Sequence, residues 1–229
     1  AGMGYVARSE LAIAVSEAGG LGVIAAAHQT PDQLLKEIRI VRDRTNRPFG
    51  VDILFATVKG SGAEADRYTD DVKRWVEIVL TERVPVVIAG LGNPAAIVPD
   101  LKRQGQKVMA LCGNVKQAKD LAAAGVDVVI AQGHEGGGHT GRIAGLILTP
   151  AVVDAVAPIP VVAAGGIADG RGLVAALALG AVGVWMGTRF IATPEAYAHQ
   201  NYKHKIVQID EEGTMVTRAA TGKPCRLIR

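Results

Sequence analysis

The sequence is poor in aromatic residues and in cysteine. Only 4% of its 229 residues are aromatic, so the 49% that are hydrophobic consist mainly of Ala, Val, Ile and Leu, as in buried parallel strands. Its two cysteines, Cys112 and Cys225, lie far apart, and neither belongs to a C-x-x-C pair. We therefore expect no structural disulfide, which is compatible with a reducing cytoplasm.

Long apolar runs and blocks of like charge are also missing. No apolar stretch reaches the length of a membrane span without a glycine, proline or charge. The net charge of +3 is spread along the chain, which argues against a nucleic-acid-binding face. The first residues, Ala1 to Gly4, lack the basic start and apolar stretch of a signal peptide. We expect a small-molecule partner, with no nucleic acid and no membrane.

Short apolar runs alternate with segments of helical period along nearly the whole chain. The runs that predict strands are Leu21–Ala25, Val51–Phe55, Val84–Ala89, Lys107–Leu111, Val126–Ala131, Pro160–Ala164 and Val182–Met186. Helices are predicted at residues 11–18, 34–41, 72–80, 94–104, 114–124, 150–156 and 170–179. This alternation predicts parallel strands joined by crossover helices.

The fold class follows from the length and the strand count. A chain of 229 residues has the usual size of a (β/α)8 TIM barrel, which needs eight strands. Seven are found, so an open doubly wound sheet stays possible on pattern alone. We predict one TIM-barrel domain over residues 1–229, with 191–229 as a C-terminal extension. Ala1–Met3 would end a first strand whose upstream residues are absent, unless a missed element lies in Arg47–Ala65 or after Phe190.

Two glycine turns follow the last two predicted strands. Gly165 and Gly166 come after a buried strand and precede a helix that starts near Asp169. Glycine lets backbone N–H groups approach an anion, and a helix N-terminus adds partial positive charge. Gly187 and Thr188 repeat the arrangement after the next strand. Together the turns predict a phosphate site, although each alone is equally explained as a tight turn of the fold.

A glycine-rich loop follows the strand at Val126–Ala131. It has five glycines in nine residues from Gly133, and it carries His134, Glu135 and His139, which offer acid–base chemistry near neutral pH. The spacing differs from H-E-x-x-H, because the two histidines are five residues apart in a loop. We predict no metal site and a catalytic or ligand-contacting His139, with a surface loop of incidental histidines as the alternative.

These segments together resemble the nitronate monooxygenases, a family once called 2-nitropropane dioxygenases. The matching motifs are Gly-Met-Gly at Gly2–Gly4, Gly-Gly-His at Gly137–His139, Ala-Gly-Gly-Ile-x-Asp-Gly at Ala164–Gly170, and Gly-Thr-Arg-Phe at Gly187–Phe190. The tail segments Thr214–Arg218 and Gly222–Pro224 are similar as well. The four motifs occur in the family's order and cover nearly the whole chain.

The resemblance implies an FMN cofactor over the strand ends. The implied cofactor-binding residues are Gly2, Met3, Asp52, Gln132, Gly138, Ala164, Gly165, Gly166, Gly187 and Thr188. The phosphate would meet Ala164, Gly166, Gly187 and Thr188, and the flavin ring would lie near Gly2 and Met3. His139 matches the family's catalytic histidine, a base toward a nitroalkane or a contact of the nitronate. The flavin takes an electron from the nitronate, and O2 completes oxidation to a carbonyl compound and nitrite. A homodimer is left open.

Three departures from the family affect the expected chemistry. This chain has Leu111 where some members carry Lys, Gln132 where some carry an acid, and Asp52 where some carry an amide. Two other functions therefore remain as alternatives. One is an FMN- and NAD(P)H-dependent enoyl-acyl carrier protein reductase, and the other is a non-catalytic barrel that binds a phosphate ligand.

Overall fold

The computed structural model describes residues 1–55 and 63–229, with the backbone alone for residues 63–69. Contacts group the chain into two compact units. Unit 1 consists of Ala1–Ala110, Ala124–Val126 and Glu195–Tyr197, and unit 2 consists of Leu111–Ala123, Asp127–Pro194 and Ala198–Arg229. None of the helices in the described ranges is long and apolar enough to cross a membrane.

Unit 1 alternates helices with parallel strands. Its helices are α1 (Ser9–Glu17), α2 (Pro31–Arg44), α3 (Ala63–Thr81) and α4 (Val98–Arg103). Its strands are β1 (Gly22–Ala25), β2 (Phe49–Leu54), β3 (Val86–Leu91) and β4 (Lys107–Cys112, whose last two residues belong to unit 2). They pair in chain order, with Val51 opposite Ile24 on one side and Val87 on the other.

Helix α2 shows how the sequence specifies these elements. Thr30 caps the helix by accepting from the N–H of Gln33, whose side chain in turn accepts from the N–H of Thr30. Leu34, Ile38 and Val41 recur at helical spacing and are fully buried. The helix therefore begins at a capping box and presents one apolar face to the core.

Unit 2 holds two sheets. Its elements are α5 (Val115–Ala123), β5 (Val128–Gln132), β6 (Gly138–His139), α6 (Gly145–Val156), β7 (Val161–Ala164), α7 (Gly170–Ala178), β8 (Gly183–Trp185), α8 (Thr188–Ile191), α9 (Gln200–Gln208), β9 (Thr214–Thr217) and β10 (Cys225–Ile228). In the first sheet, β7 lies between β5 and β8, and all three strands are parallel. In the second, β10 lies between β6 and β9, and the pairs are antiparallel.

All seven predicted strands are present, each with ends within two residues of the prediction. Three helices begin four or more residues away from the predicted start. Helix α3 begins at Ala63 rather than residue 72, α4 begins at Val98 rather than Pro94, and α6 begins at Gly145 with Pro150 in its interior. Ala1–Met3 form no strand. The residues after Phe190 form a helix and a hairpin that pairs with β6, rather than an eighth parallel strand. Part of the range Arg47–Ala65, where a missed element was expected, lies outside the described residues. That residues 1–229 form a single domain stays a prediction.

A buried serine joins three segments of unit 1. The hydroxyl of Ser16 donates to the carbonyl of Pro48 (2.9 Å) and accepts from the N–H of Gly22 (3.1 Å), and the side chain is almost fully buried. A Cβ at Gly22 would lie 1.9 Å from the carbonyl oxygen of Ala12, so only glycine allows β1 to approach α1 this closely. Ser16 therefore links α1, β1 and the segment that leads into β2.

Replacing Ser16 with Ala should destabilise the protein measurably. The change leaves the N–H of Gly22 and the carbonyl of Pro48 buried without this partner, which costs about 1–3 kcal/mol. The free energy of unfolding in urea is the measurement, and Lys36→Ala on the exposed face of α2 is the control, expected within about 0.5 kcal/mol of wild type. Equal stability of the two variants would contradict the structural role of Ser16.

Candidate functional site

The first predicted phosphate turn follows β7 directly. Gly165 and Gly166 have φ values of +98° and +69°, a pair of left-handed conformations that L side chains rarely adopt. The neighbouring N–H of Gly133 donates to the carbonyl of Ala164 (2.9 Å), which fixes the end of the strand. Helix α7 begins four residues later, as predicted, and Asp169 caps it by accepting from the N–H of Arg171 (2.9 Å). The positive end of α7 is therefore partly neutralised by its own cap.

The second predicted turn lies beside the first. Ala164 pairs with Trp185 in the parallel ladder of β7 and β8, so the carboxyl ends of both strands lie side by side. Gly187 then precedes the short helix α8, which starts at Thr188. Within unit 2, the structure thus brings together the two turns that the sequence predicted to share one anion.

The glycine-rich loop packs against both turns at backbone distance. An ideal Cβ at Gly165 would lie 2.9 Å from the amide nitrogen of Gly136, and one at Gly137 would lie 2.7 Å from Oγ1 of Thr188. Real Cβ atoms essentially never come under 3.0 Å, so glycine is required at both positions unless a neighbour moves. The loop therefore lies against the backbone of the first turn and against the side chain of Thr188.

Two of the polar side chains in the loop hold its shape. The carboxylate of Glu135 accepts from the N–H of Gly145 through both oxygens (3.1 and 3.0 Å) and so stabilises the N-terminus of α6. Nδ1 of His134 lies 2.9 Å from the carbonyl oxygen of Gly141, and the carbonyl of His134 accepts from the guanidinium of Arg226 (3.2 Å). Both side chains are therefore engaged in hydrogen bonds within the loop and its neighbours, and neither is available for acid–base chemistry in this arrangement.

His139 has a different environment from His134. Its carbonyl accepts from Nε2 of Gln132 (2.7 Å), and its ring Nε2 lies 2.8 Å from Oγ1 of Thr221. Burial lowers the pKa of His139 below its usual value, and the nearby charge of Lys223 lowers it further. The ring is therefore held half-buried and favours its neutral, proton-accepting form.

The other predicted cofactor residues, Gly2, Met3 and Asp52, belong to unit 1. A Cβ at Gly2 would lie 2.0 Å from Oδ2 of Asp52, and one at Gly90 would lie 2.4 Å from Oδ1, so the carboxyl group is enclosed between two glycines. The carbonyl of Met3 accepts from the N–H groups of Val6 and Ala7. Gly2 and Asp52 are thus in contact, as is required if both residues belong to one cofactor site.

Burial raises the pKa of Asp52 to about 7, against a smaller opposing effect of the N–H of Gly90. Its Oδ1 is buried and makes no hydrogen bond of normal geometry within the described residues. Near neutral pH a substantial share of this side chain is therefore protonated and carries no charge.

The sequence missed two residues of the site, Thr221 and Lys223. Both lie in the turn between β9 and β10, 82 and 84 residues after His139, and no local pattern connects them to it. The only available signal was the resemblance of Gly222–Pro224 to the family's C-terminal region. Within the described residues, no three His, Cys, Asp or Glu side chains are placed to hold a metal ion.

A family model for nitronate monooxygenase matches residues 1–229, so the chain belongs to that family, as its motifs predicted. The family is flavin-dependent, and a flavin is the class of cofactor that membership implies. A curated relative from Mycobacterium tuberculosis, a (3aS,4S,5R,7aS)-5-hydroxy-7a-methyl-1-oxo-octahydro-1H-indene-4-carboxyl-CoA dehydrogenase, is 43% identical. The match covers 100% of this chain but only 61% of that relative's length.

Two solved structures share the fold over the whole chain. FabK from Thermotoga maritima gives a TM-score of 0.90 at 44% identity, with 70% of its chain covered. Nitroalkane oxidase from Streptomyces ansochromogenes gives a TM-score of 0.89 at 36% identity, with 75% covered. These matches confirm the TIM-barrel fold class. The described residues contain seven parallel strands of such a barrel.

Replacing Asp52 with Asn should change how stability depends on pH. The pKa of Asp52 is higher in the folded than in the unfolded protein, so protonation of this side chain stabilises the fold. That contribution to the free energy of unfolding is complete below about pH 4 and is lost as the pH rises to about 7. Asp52→Asn should therefore gain stability over wild type across this interval, by on the order of a few kcal/mol at about 1.4 kcal/mol per pKa unit.

Urea unfolding of both proteins at several pH values measures the difference. The exposed Asp43→Asn on α2 serves as control and should follow wild type within about 0.5 kcal/mol throughout. A constant difference between Asp52→Asn and wild type from pH 4 to pH 8 would show that Asp52 does not titrate in this range.

Proposed function

We propose that this protein is an FMN-dependent oxidoreductase that oxidises alkyl nitronates to carbonyl compounds and nitrite with O2. The observation that carries the proposal is the placement of His139 at the end of a glycine loop whose backbone lies against both phosphate turns. Membership of the nitronate monooxygenase family supports the reaction type. The chain spans about three fifths of the relative from M. tuberculosis, so the activity of a whole protein of that length is part of the proposal.

The phosphate fits the two turns on grounds of space and charge. Gly165 and Gly166 present backbone without side chains, and Thr188 adds an exposed hydroxyl beside them. The nearby carboxylates have other partners, because Glu135 binds the N-terminus of α6 and Asp169 binds Arg171. An FMN phosphate placed here would therefore meet donors rather than two free negative charges. We propose Ala164, Gly165, Gly166, Gly187 and Thr188 as its contacts.

His139 supplies the proton chemistry. A neutral nitroalkane must lose the proton on the carbon next to the nitro group before it can be oxidised as a nitronate, and a neutral imidazole can accept that proton. Burial and the charge of Lys223 favour the neutral ring, so His139 is prepared for this step near neutral pH. Oxidation of the nitronate needs an electron acceptor, which bound FMN supplies. Gly2, Met3, Asp52, Gln132 and Gly138 remain predicted contacts of the cofactor.

Reduction of an enoyl thioester is the second candidate function. The relative from M. tuberculosis is named for a carboxyl-CoA substrate, which favours acyl thioester chemistry. Leu111, at the end of β4, also lacks the positive charge with which some nitronate monooxygenases could stabilise reduced flavin. His139 would then contact flavin or substrate without removing a proton.

An absorbance experiment separates these functions. Under anaerobic conditions, loss of the oxidised flavin spectrum on adding an alkyl nitronate supports nitronate oxidation, whereas loss on adding NADPH alone supports enoyl reduction. A protein that stays colourless after incubation with FMN would be a non-catalytic phosphate binder, and both enzymatic proposals would be wrong.

Replacing Gly166 with Asp should abolish FMN retention. The new carboxylate would stand where the phosphate is proposed to bind, and repulsion between like charges adds to the strain of a side chain at φ +69°. Gly166→Asn is the matched control, because Asn has the same size, carries no charge and tolerates left-handed backbone. The measurement is FMN per protein after gel filtration, and equal retention by the two variants would place the phosphate elsewhere.

Replacing His139 with Asn should affect neutral nitroalkanes far more than preformed nitronates. Loss of a general base costs roughly 10²–10⁴-fold, and only the neutral substrate needs that base. His134→Asn is the control and should lose much less, since His134 is bonded to the carbonyl of Gly141. Steady-state kcat/KM for both substrates is the measurement, and equal losses on the two substrates would exclude proton abstraction by His139.

A further inference from the structure

The C-terminal hairpin fixes the backbone of His139. In the register of β10 with β6, Cys225 stands opposite His139, and the N–H of Thr140 donates to the carbonyl of Pro224 (3.1 Å). From the other side, the amide of Gln132 donates to the carbonyl of His139. The histidine is therefore held between the end of β5 and the last strand of the chain.

The turn of the same hairpin reaches the ring. The N–H of Gly222 donates to the carbonyl of Arg218 (2.9 Å), and Gly222 has a φ of +72°, so the chain reverses tightly there. The residue on one side of this glycine is Thr221, whose Oγ1 lies 2.8 Å from Nε2 of His139. The residue on its other side is Lys223, whose charge acts on the same ring.

We propose that Thr221 is a positioning residue: its hydroxyl oxygen accepts from Nε2–H of His139 and leaves Nδ1 as the nitrogen that takes the substrate's proton. The assignment of the reaction rests on the proposed function, whereas the contact between Thr221 and His139 does not. Within the described residues, Nδ1 has no hydrogen-bond partner, in contrast to Nδ1 of His134.

The direction of this hydrogen bond follows from what a base requires. A neutral imidazole carries one proton, and the partner of one nitrogen determines which nitrogen holds it. If Thr221 donated to Nε2, the proton would sit on Nδ1 and the ring would have no free lone pair. If Thr221 accepts, Nδ1 keeps its lone pair and the hydrogen bond fixes the orientation of the ring. Hydrogen-bond partners orient metal-bound histidines in the same way.

The surrounding charges agree with a neutral ring. Lys223 on the turn opposes a second positive charge, and Arg226 on β10 is bonded to the carbonyl of His134 and to Thr214. Glu135, the carboxylate of the loop, is bonded to the N-terminus of α6 and so is not arranged as an ion-pair partner. Protonation of the ring is favoured by none of these groups.

The test compares Thr221→Val, which has nearly the same shape without the hydroxyl, with Thr221→Ser, which keeps it. Thr217→Val on β9 is the matched control, because it removes a hydroxyl whose partner is the N–H of Ala219 in the same hairpin. Nitrogen-15 NMR of the imidazoles, assigned with His139→Asn, reports the tautomer and titration of His139 in the purified protein. Steady-state kinetics with a neutral nitroalkane and its preformed nitronate form the second readout.

We expect the Nε2–H tautomer in wild type, the Thr221→Ser variant and the control. Thr221→Val should give a mixture of tautomers and lose roughly 10–100-fold in kcat/KM for the neutral nitroalkane, with little change for the nitronate. An Nδ1–H tautomer in wild type would overturn the proposal. So would a Thr217→Val variant with the same tautomer mixture and the same loss of kcat/KM as Thr221→Val. If the wild-type protein does not oxidise nitronates, the proposed function is wrong. The NMR result still decides the role of Thr221 in that case.

Discussion

Close approach of backbone to backbone is the constraint on which the candidate site depends. The loop after β5 lies so near the turn after β7 that a single methyl group at Gly165 would come within 2.9 Å of a loop amide. At Gly137 the near neighbour is instead the side-chain oxygen of Thr188, which would lie 2.7 Å from a Cβ. Glycine leaves the backbone of this surface uncovered, so a ligand could approach backbone N–H groups there, with the hydroxyl of Thr188 and the imidazole of His139 beside them.

Because the glycines supply no side chains, the loop takes its shape from hydrogen bonds. Glu135 reaches the N-terminus of α6, and His134 binds Gly141 and Arg226. Both residues looked like candidates for chemistry, yet both stabilise the loop. This leaves His139 as the titratable side chain of the loop whose ring contacts the hairpin instead of the loop itself.

The hairpin shows how a distant segment completes a local motif. Gly138 and His139 of the Gly-Gly-His motif form a strand of only two residues, which would not be stable alone, and pairing with β10 makes it part of a three-stranded sheet. The same pairing brings Thr221 and Lys223 to the ring. Orientation and charge of the histidine are therefore controlled from the other end of unit 2's sequence.

The sequence by itself determined the parallel strands, the start of α7 after Asp169, and the turns at Gly165 and Gly187. These are local, since strand runs, caps and glycine turns depend on neighbouring residues. The glycine-rich loop indicated His139, and the resemblance to the family added Asp52 as a candidate. Only the tertiary structure decided that Glu135 caps a helix, that burial raises the pKa of Asp52, and that Thr221 holds His139, because desolvation and contacts across 82 residues leave no trace in local pattern.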